Sequence, residues 1–157
     1  MDNSELINDN LIELNVDAHS KKEALKKIAE LVFKAGRVES ATAYCNGMME
    51  REATSTTGFG GGIAIPHAKL DEVIKPTISV IKLDKAVEWE AMDNEPVYFL
   101  IALAVPKKQE GNFHLKLLAR LSENLMEESF VQSLLSARTK SEISKIITEI
   151  LTDKGEV

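Results

Sequence analysis

The stretch "TTGFGGGIAIPHAKL", residues 56–70, is the most distinctive feature of the chain. Four glycines occupy five positions, a short apolar run follows, and Pro66 and His67 come directly after that run. Proline restricts the residue before it to an extended backbone. The sequence therefore predicts a glycine loop followed by a short strand, with His67 emerging at the strand's end in a fixed direction.

The glycine loop has two interpretations. It is either a flexible hairpin turn, or a set of backbone N–H groups that turn inward around an anion. Two nucleotide-binding motifs are excluded by spacing. A Walker loop needs Lys and then Ser or Thr after its last glycine, but Ile63 and Ala64 follow Gly62. The dinucleotide fingerprint would need a glycine where Ile63 stands.

Composition and charge limit the function classes. The 157 residues suffice for one sizeable core, and 44% of them are hydrophobic. A formal net charge of -6 argues against nucleic-acid binding and against binding to anionic lipid. The single cysteine, Cys45, excludes an internal disulfide and a thiolate-rich metal site. Because no signal peptide or membrane-spanning run is visible, we expect a cytoplasmic protein.

The pattern of the remaining chain predicts a single α/β domain. Helices are expected after Ser20, which has Glu23 three residues on as a capping box, and after Ser40. Helices are also expected over most of the chain from residue 113 to about 151. The β-branched and apolar runs predict strands at residues 11–18, 77–84 and 97–106. This order of elements predicts one sheet with helices available for both of its faces.

His67 is a candidate nucleophile for phosphoryl chemistry. A neutral imidazole nitrogen attacks phosphorus readily near pH 7, and a phosphorylated imidazole is a good donor in turn. The alternative is a surface or capping histidine with no chemical role, which is the commoner situation for a lone histidine.

His114 is the second candidate. It shares one helix face with Leu118, Leu121 and Leu125 and stands in the first turn, with Asn112 as the expected N-cap. The helix dipole favours a neutral ring there and an anion near the first amides. The alternative is a helix-start histidine that packs on the core.

Arg51 is the candidate cation. It lies near the end of the second predicted helix, shortly before the glycine loop, and guanidinium binds phosphate in a bidentate fork. The alternative is an arginine that complements the helix dipole or pairs on the surface with Glu50 or Glu52.

Together these segments resemble the enzyme IIA domains of the fructose–mannitol class in the bacterial phosphoenolpyruvate-dependent sugar phosphotransferase system. The resemblance rests on "REATSTTGFGGGIAIPHAK", "VEWEAMDNEPVYFLIALAVP" and "NFHLKLLARLSENL", and it covers about residues 6–151. It implies one enzyme IIA type-2 domain over residues 1–157. It also implies the fold, a single mixed, mostly parallel β-sheet flanked by helices on both faces.

The resemblance also implies the site residues. His67 matches the histidine that this family phosphorylates on Nε2, His114 the second active-site histidine, and Arg51 the arginine that steadies the phosphoryl group. The residues that match the loop lining the site are Thr57, Gly58, Gly60, Gly61 and Gly62. Many members carry an asparagine among these glycines, and this chain does not.

The implied function is a phosphoryl carrier for sugar uptake, most similar to the fructose type. Phospho-HPr would donate to His67, and a IIB domain would accept, with the membrane reached only through a IIC component. No metal, nucleotide or other cofactor is expected. Two alternatives stay open: a regulatory protein of the nitrogen-related branch, and a non-catalytic metal-binding or structural domain. Which sugar is handled cannot be read from a IIA domain, because it never contacts the sugar.

Overall fold

The computed structural model describes residues 6–109 and 112–152, which fall into two compact units. One unit is continuous over residues 10–108. The other contains residues 6–9 and the described residues from 109 onward. The ends of the predicted domain, residues 1–5 and 153–157, and residues 110 and 111 lie outside the described part of the chain.

The larger unit contains the β-sheet. In the described residues the sheet has six strands: β1 Ile12–Val16, β2 Gly58–Gly60, β3 Ile63–Ala64, β4 His67–Leu70, β5 Thr77–Val87 and β6 Val97–Pro106. Strands β5 and β6 pair antiparallel, as do β2 and β3, whereas the β1–β5, β3–β6 and β4–β6 pairs are parallel. The predicted α/β fold class with its mixed, mostly parallel sheet is confirmed.

Strands β3 and β4 run along the same side of β6. Ile63 is paired with Phe99 and His67 with Leu103, so the register is the same before and after Ile65 and Pro66. Pro66 has no N–H, but its carbonyl accepts a hydrogen bond from Leu103 N at 3.0 Å. The expectation that the strand ends at His67 is therefore wrong. The strand resumes there, and His67 is the first residue of β4.

Two helices complete the larger unit: α1 Lys21–Lys34 and α2 Ala41–Thr54. Both begin at the predicted caps, with Ser20 Oγ accepting from Glu23 N at 3.1 Å and Ser40 Oγ from Ala43 N at 3.0 Å. Helix α1 contacts α2 and β5, and α2 packs on β4. At Gly47 that approach is so close that an added Cβ would lie 2.9 Å from Leu70 Cδ1.

An apolar cluster lies between these helices and the sheet. Its largest side chains are those of Trp89, Tyr44, Leu11, Leu25, Ile28, Met48 and Ile81, all essentially inaccessible to solvent. The burial of β6 is nearly complete, as expected for a strand without polar alternation. Cys45 lies on α2 and is half-buried.

The smaller unit contains three helices in its described residues: α3 Phe113–Leu125, α4 Glu128–Ser136 and α5 Lys140–Thr152. These helices contact one another, and their buried positions include Leu117, Leu121, Leu134 and Ile147. None of the helices in the described residues is long and apolar enough to cross a bilayer.

Candidate functional site

The glycine segment folds as a tight β-hairpin. Strands β2 and β3 are joined by Gly61 and Gly62, whose φ angles are 66° and 85°. Two-residue hairpin turns favour positive φ at both central positions because the strand twist then matches, and glycine adopts that region without a steric cost. The hairpin alternative raised by the sequence is therefore the geometry that the loop adopts.

The connection between β5 and β6 holds this hairpin in place. Met92 N donates to Gly58 O at 3.1 Å, and Gly61 N donates to Asp93 Oδ2 at 3.0 Å. The packing is tight at Gly58, where an added Cβ would lie 2.6 Å from Ala91 Cβ and 2.9 Å from Trp89 Cδ1. Glycine is required at this position for close approach of two backbones.

Two amides of the loop already donate to side chains. Gly61 N donates to the Asp93 carboxylate, and Gly58 N donates to Thr56 Oγ1 at 3.0 Å. An anion that used the Gly61 amide would have to displace a negatively charged group. The assignment of Thr57, Gly58, Gly60, Gly61 and Gly62 to a phosphoryl site stays a prediction.

Asp93 gives the hairpin a pH dependence. Hydrogen bonds from the backbone amides of Gly61 and Glu95 hold the pKa of the Asp93 carboxyl below its usual range. A depressed folded-state pKa stabilises the fold at pH values above the unfolded-state pKa, and this contribution is lost as the pH falls through the folded-state pKa. The relevant window lies below about pH 4.

We therefore expect Asp93→Asn to lower the melting temperature at pH 7, since the amide cannot replace a carboxylate that accepts both bonds. The difference from wild type should narrow as the pH falls below about 4. Thermal melts followed by circular dichroism at pH 7, 5 and 3 measure this difference. A melting-temperature difference that stays constant over the three pH values contradicts the assignment.

His67 is half-exposed, and its ring has a defined hydrogen bond. Nδ1 lies 3.0 Å from the carbonyl oxygen of Ile65, two residues earlier. A carbonyl oxygen can only accept, so Nδ1 carries the proton in this contact. In the neutral ring the lone pair is then on Nε2. The Ile65–Pro66 segment thus sets both the tautomer and the direction of the imidazole.

Arg51 occupies the last turn of α2, as predicted. Its Nη1 donates to Ser55 O at 2.8 Å and lies 3.3 Å from Ser55 Oγ, so it satisfies a carbonyl just beyond the helix end. The sequence left two kinds of role open for Arg51, an interaction with the end of its own helix and the binding of phosphate. This contact is of the first kind. The side chain is only half-buried.

Surface pairing of Arg51 with Glu52, one of the alternatives that the sequence left open, does not occur, because Glu52 is buried. Glu52 is 8% exposed, and its carboxylate accepts hydrogen bonds from both the backbone N and the hydroxyl of Thr57. Lys21 Nζ lies 3.6 Å from Glu52 Oε1 and 5.2 Å from the centroid of the Trp89 ring. A buried carboxylate is stable only with such partners.

The buried contact between Glu52 and Thr57 is the feature beside the hairpin that the sequence did not predict. Thr57 matches the loop that lines the site in the family, and its hydroxyl and amide both donate to Glu52. The available signal was the five-residue spacing between a glutamate near a helix end and a threonine just after it. That spacing alone does not separate a buried pair from two surface residues.

His114 belongs to the smaller unit, where it is the second residue of α3 and half-buried. The buried stripe of that helix runs through Phe113, Leu117, Leu121 and Leu125. The prediction that His114 and Leu118 lie on the buried stripe is therefore only partly right, since both flank it. Asn112 is the N-cap residue as predicted, but its side chain makes no capping hydrogen bond.

No group of three or more histidine, cysteine or acidic side chains in metal-binding proximity occurs among residues 6–109 and 112–152.

Comparison with known proteins identifies the family. Residues 5–150 match the family model described as "Phosphoenolpyruvate-dependent sugar phosphotransferase system, EIIA 2". The chain is 36% identical to the fructose-specific EIIA component of Haloferax volcanii, over 90% of this chain and 91% of that protein. It is 35% identical to a nitrogen regulatory protein of Klebsiella oxytoca, over 93% of this chain and 90% of that protein.

The fold is shared with a solved assembly. The IIA chain in the complex of enzyme IIA mannitol with phosphorylated enzyme IIB mannitol from Escherichia coli superposes with a TM-score of 0.74. That match is 23% identical and covers 90% of this chain and 96% of that chain. The chain belongs to the EIIA 2 family of the phosphoenolpyruvate-dependent sugar phosphotransferase system.

Proposed function

We propose that this protein, as a single EIIA domain over residues 1–157, is a phosphoryl carrier that uses His67 as its acceptor. The observation that carries the proposal is the hydrogen bond from His67 Nδ1–H to Ile65 O. It leaves the lone pair of the neutral ring on Nε2, at the first residue of a paired strand. A nucleophile held in one tautomer and one direction needs little reorganisation before it attacks.

The loading step is a transfer between two imidazoles. The Nε2 lone pair of His67 attacks phosphorus in the phosphohistidine of phospho-HPr, and the donor's P–N bond breaks with its electron pair returning to the donor ring. During attack the His67 ring gains positive charge. The Ile65 carbonyl, which accepts from Nδ1–H, stabilises that charge. The phosphoryl group then passes to a cysteine or histidine of a IIB component.

Arg51 and His114 are proposed to assist this transfer. The guanidinium of Arg51 would exchange its contact with Ser55 for the phosphoryl oxygens, to which it can donate two parallel hydrogen bonds. His114, near the start of α3, would orient or hydrogen-bond the same group. The hairpin of Thr57 and Gly58 to Gly62 would border the site.

The partners follow from the family. The mannitol IIA relative is described in complex with a phosphorylated IIB, which supports a IIB acceptor for this chain. We infer phospho-HPr as the donor and the cytoplasm as the location of the exchange. A membrane IIC component would be reached only through IIB.

The test is reconstitution of the relay. Incubating the protein with phosphoenolpyruvate, enzyme I and HPr should add the mass of one acid-labile phosphoryl group per chain. Adding a fructose-type IIB domain should then discharge it. If the protein gains no mass while HPr is fully phosphorylated in the same tube, the carrier proposal fails.

A regulatory role in the nitrogen-related branch is the second candidate. The 35% identity to the nitrogen regulatory protein is nearly equal to the 36% identity to the fructose-specific component. Both roles use the same loading step, so the second step separates them. Discharge to a fructose-type IIB domain supports transport. A phosphorylated protein that no IIB discharges, but that changes its protein partners on phosphorylation, supports regulation.

A further inference from the structure

A chain of hydrogen bonds connects the buried carboxylate of Glu52 with the ring of His67. Glu52 binds the amide and hydroxyl of Thr57. Thr57 O accepts from Ile65 N at 3.0 Å, and Ile65 O accepts from His67 Nδ1 at 3.0 Å. Every link lies within the larger unit. No loop residue between Thr57 and Ile65 takes part.

The start of this chain is rigid. Glu52 is in the last turn of α2, is 8% exposed, and is paired with Lys21, whose side chain is 22% exposed. Lys21 in turn stands over the ring of Trp89, which is fully buried. Because both ends of the Lys21–Glu52 pair are packed, the carboxylate cannot leave Thr57 without losing several interactions at once.

The chain matters because the hairpin itself is rich in glycine. Positions 58, 60, 61 and 62 contribute no side chain that could fix the path of the backbone into Ile65. The hydrogen bonds between Thr57 and Glu52 fix the chain where the hairpin begins. The Thr57–Ile65 hydrogen bond fixes the chain where the hairpin ends. The pairing with β6 and the bonds from Glu52 through Thr57 therefore together fix the Ile65 carbonyl that selects the His67 tautomer.

We propose that Glu52 is a positioning residue for phosphoryl transfer, which fixes the orientation and the tautomer of the His67 ring through Thr57 and Ile65. The kinetic part of this inference rests on the proposed carrier function. The part that concerns the tautomer does not, since it is measured without phosphorylation.

The main test is Glu52→Gln, compared with Glu50→Gln. Glu50 is an exposed glutamate on the same helix, so the control makes the same charge change without touching Thr57. We expect ring-nitrogen NMR of histidine-labelled protein to show loss of the single Nδ1–H tautomer of His67 in Glu52→Gln. Its rate of phosphorylation by phospho-HPr should fall roughly 10- to 100-fold, with one phosphoryl group still taken up at completion. Glu50→Gln should match wild type in both measurements.

A second pair of variants covers the case in which Glu52→Gln does not fold. Thr57→Val removes the hydroxyl that donates to Glu52, and Thr57→Ser keeps it. The valine variant should lose tautomer selectivity and rate, and the serine variant should recover both. A folded Glu52→Gln or Thr57→Val protein with the wild-type tautomer and rate overturns the inference. If wild type takes up no phosphoryl group, the carrier function fails instead, and the tautomer spectra still decide the role of Glu52.

Discussion

Replacing His67 by alanine is expected to abolish phosphoryl uptake completely. The substitution removes Nε2, the atom that we propose to attack phosphorus, and no neighbouring group in the hairpin can take over. Because His67 is half-exposed, the fold should survive the change. Intact-mass measurement after incubation with phosphoenolpyruvate, enzyme I and HPr should show the unmodified mass only.

The matched control for this prediction is His19→Ala. His19 is an exposed histidine near the start of α1, with 72% of its side chain accessible to solvent. This variant should take up one phosphoryl group at the wild-type rate. If His67→Ala still gains the group, the acceptor is another residue, and His114 is the first to examine by the same substitution.

The largest expected loss of stability is that of Gly58→Ala. The added methyl group would lie 2.6 Å from Ala91 Cβ and 2.7 Å from Ala91 Cα, and the Cα is backbone that cannot rotate away. Relieving this overlap requires the hairpin and the β5–β6 connection to separate. The free energy of unfolding should fall by about 2 to 3 kcal/mol, as measured by urea unfolding.

Gly61→Ala is the control for Gly58→Ala, because it adds backbone strain without a steric overlap. Its φ is 66°, but an added Cβ would have no heavy atom within 4 Å. Only the cost of the left-handed backbone remains, about 1 kcal/mol. If Gly58→Ala and Gly61→Ala lower the free energy of unfolding equally, Gly58 is not required for close packing.

Features set by neighbouring residues were predictable from the sequence. Ser20 and Ser40 cap their helices as expected, because a capping bond joins residues only three apart. The long apolar run at residues 97–106 forms the central, buried strand, since such a run has no polar face to expose. The resemblance correctly predicted the family and the mixed sheet.

Features set by distant residues were not predictable. The burial of Glu52 depends on its ion pair with Lys21, 31 positions earlier, and on the hydrogen bonds that it accepts from Thr57. The continuation of the strand past Pro66 depends on β6, which supplies Leu103 as a partner for the proline carbonyl. A local pattern contains neither the contact with Lys21 nor the contact with Leu103, so the burial of Glu52 was not predicted and the strand was expected to end.

The contacts around the proposed site residues were only partly predictable from the sequence. Arg51 lies in the last turn of the expected helix, but its contact with Ser55 follows from how α2 ends. His67 begins β4 instead of following the end of a strand. The glycines were interpreted as a turn or as a loop around an anion, and the backbone between β2 and β3 is a hairpin turn. Asp93, which holds Gly61, is 32 residues away in the sequence.

The identity of the phosphorylated atom tests most directly whether His67 is the phosphoryl acceptor. Histidine labelled with nitrogen-15 in the wild-type protein, phosphorylated through HPr, would be examined for phosphorus–nitrogen coupling in each ring. We expect one coupled nitrogen, Nε2 of His67, while Nδ1 keeps its proton and donates it to Ile65 O. Coupling at Nδ1 of His67, or in the ring of His114, would contradict this expectation.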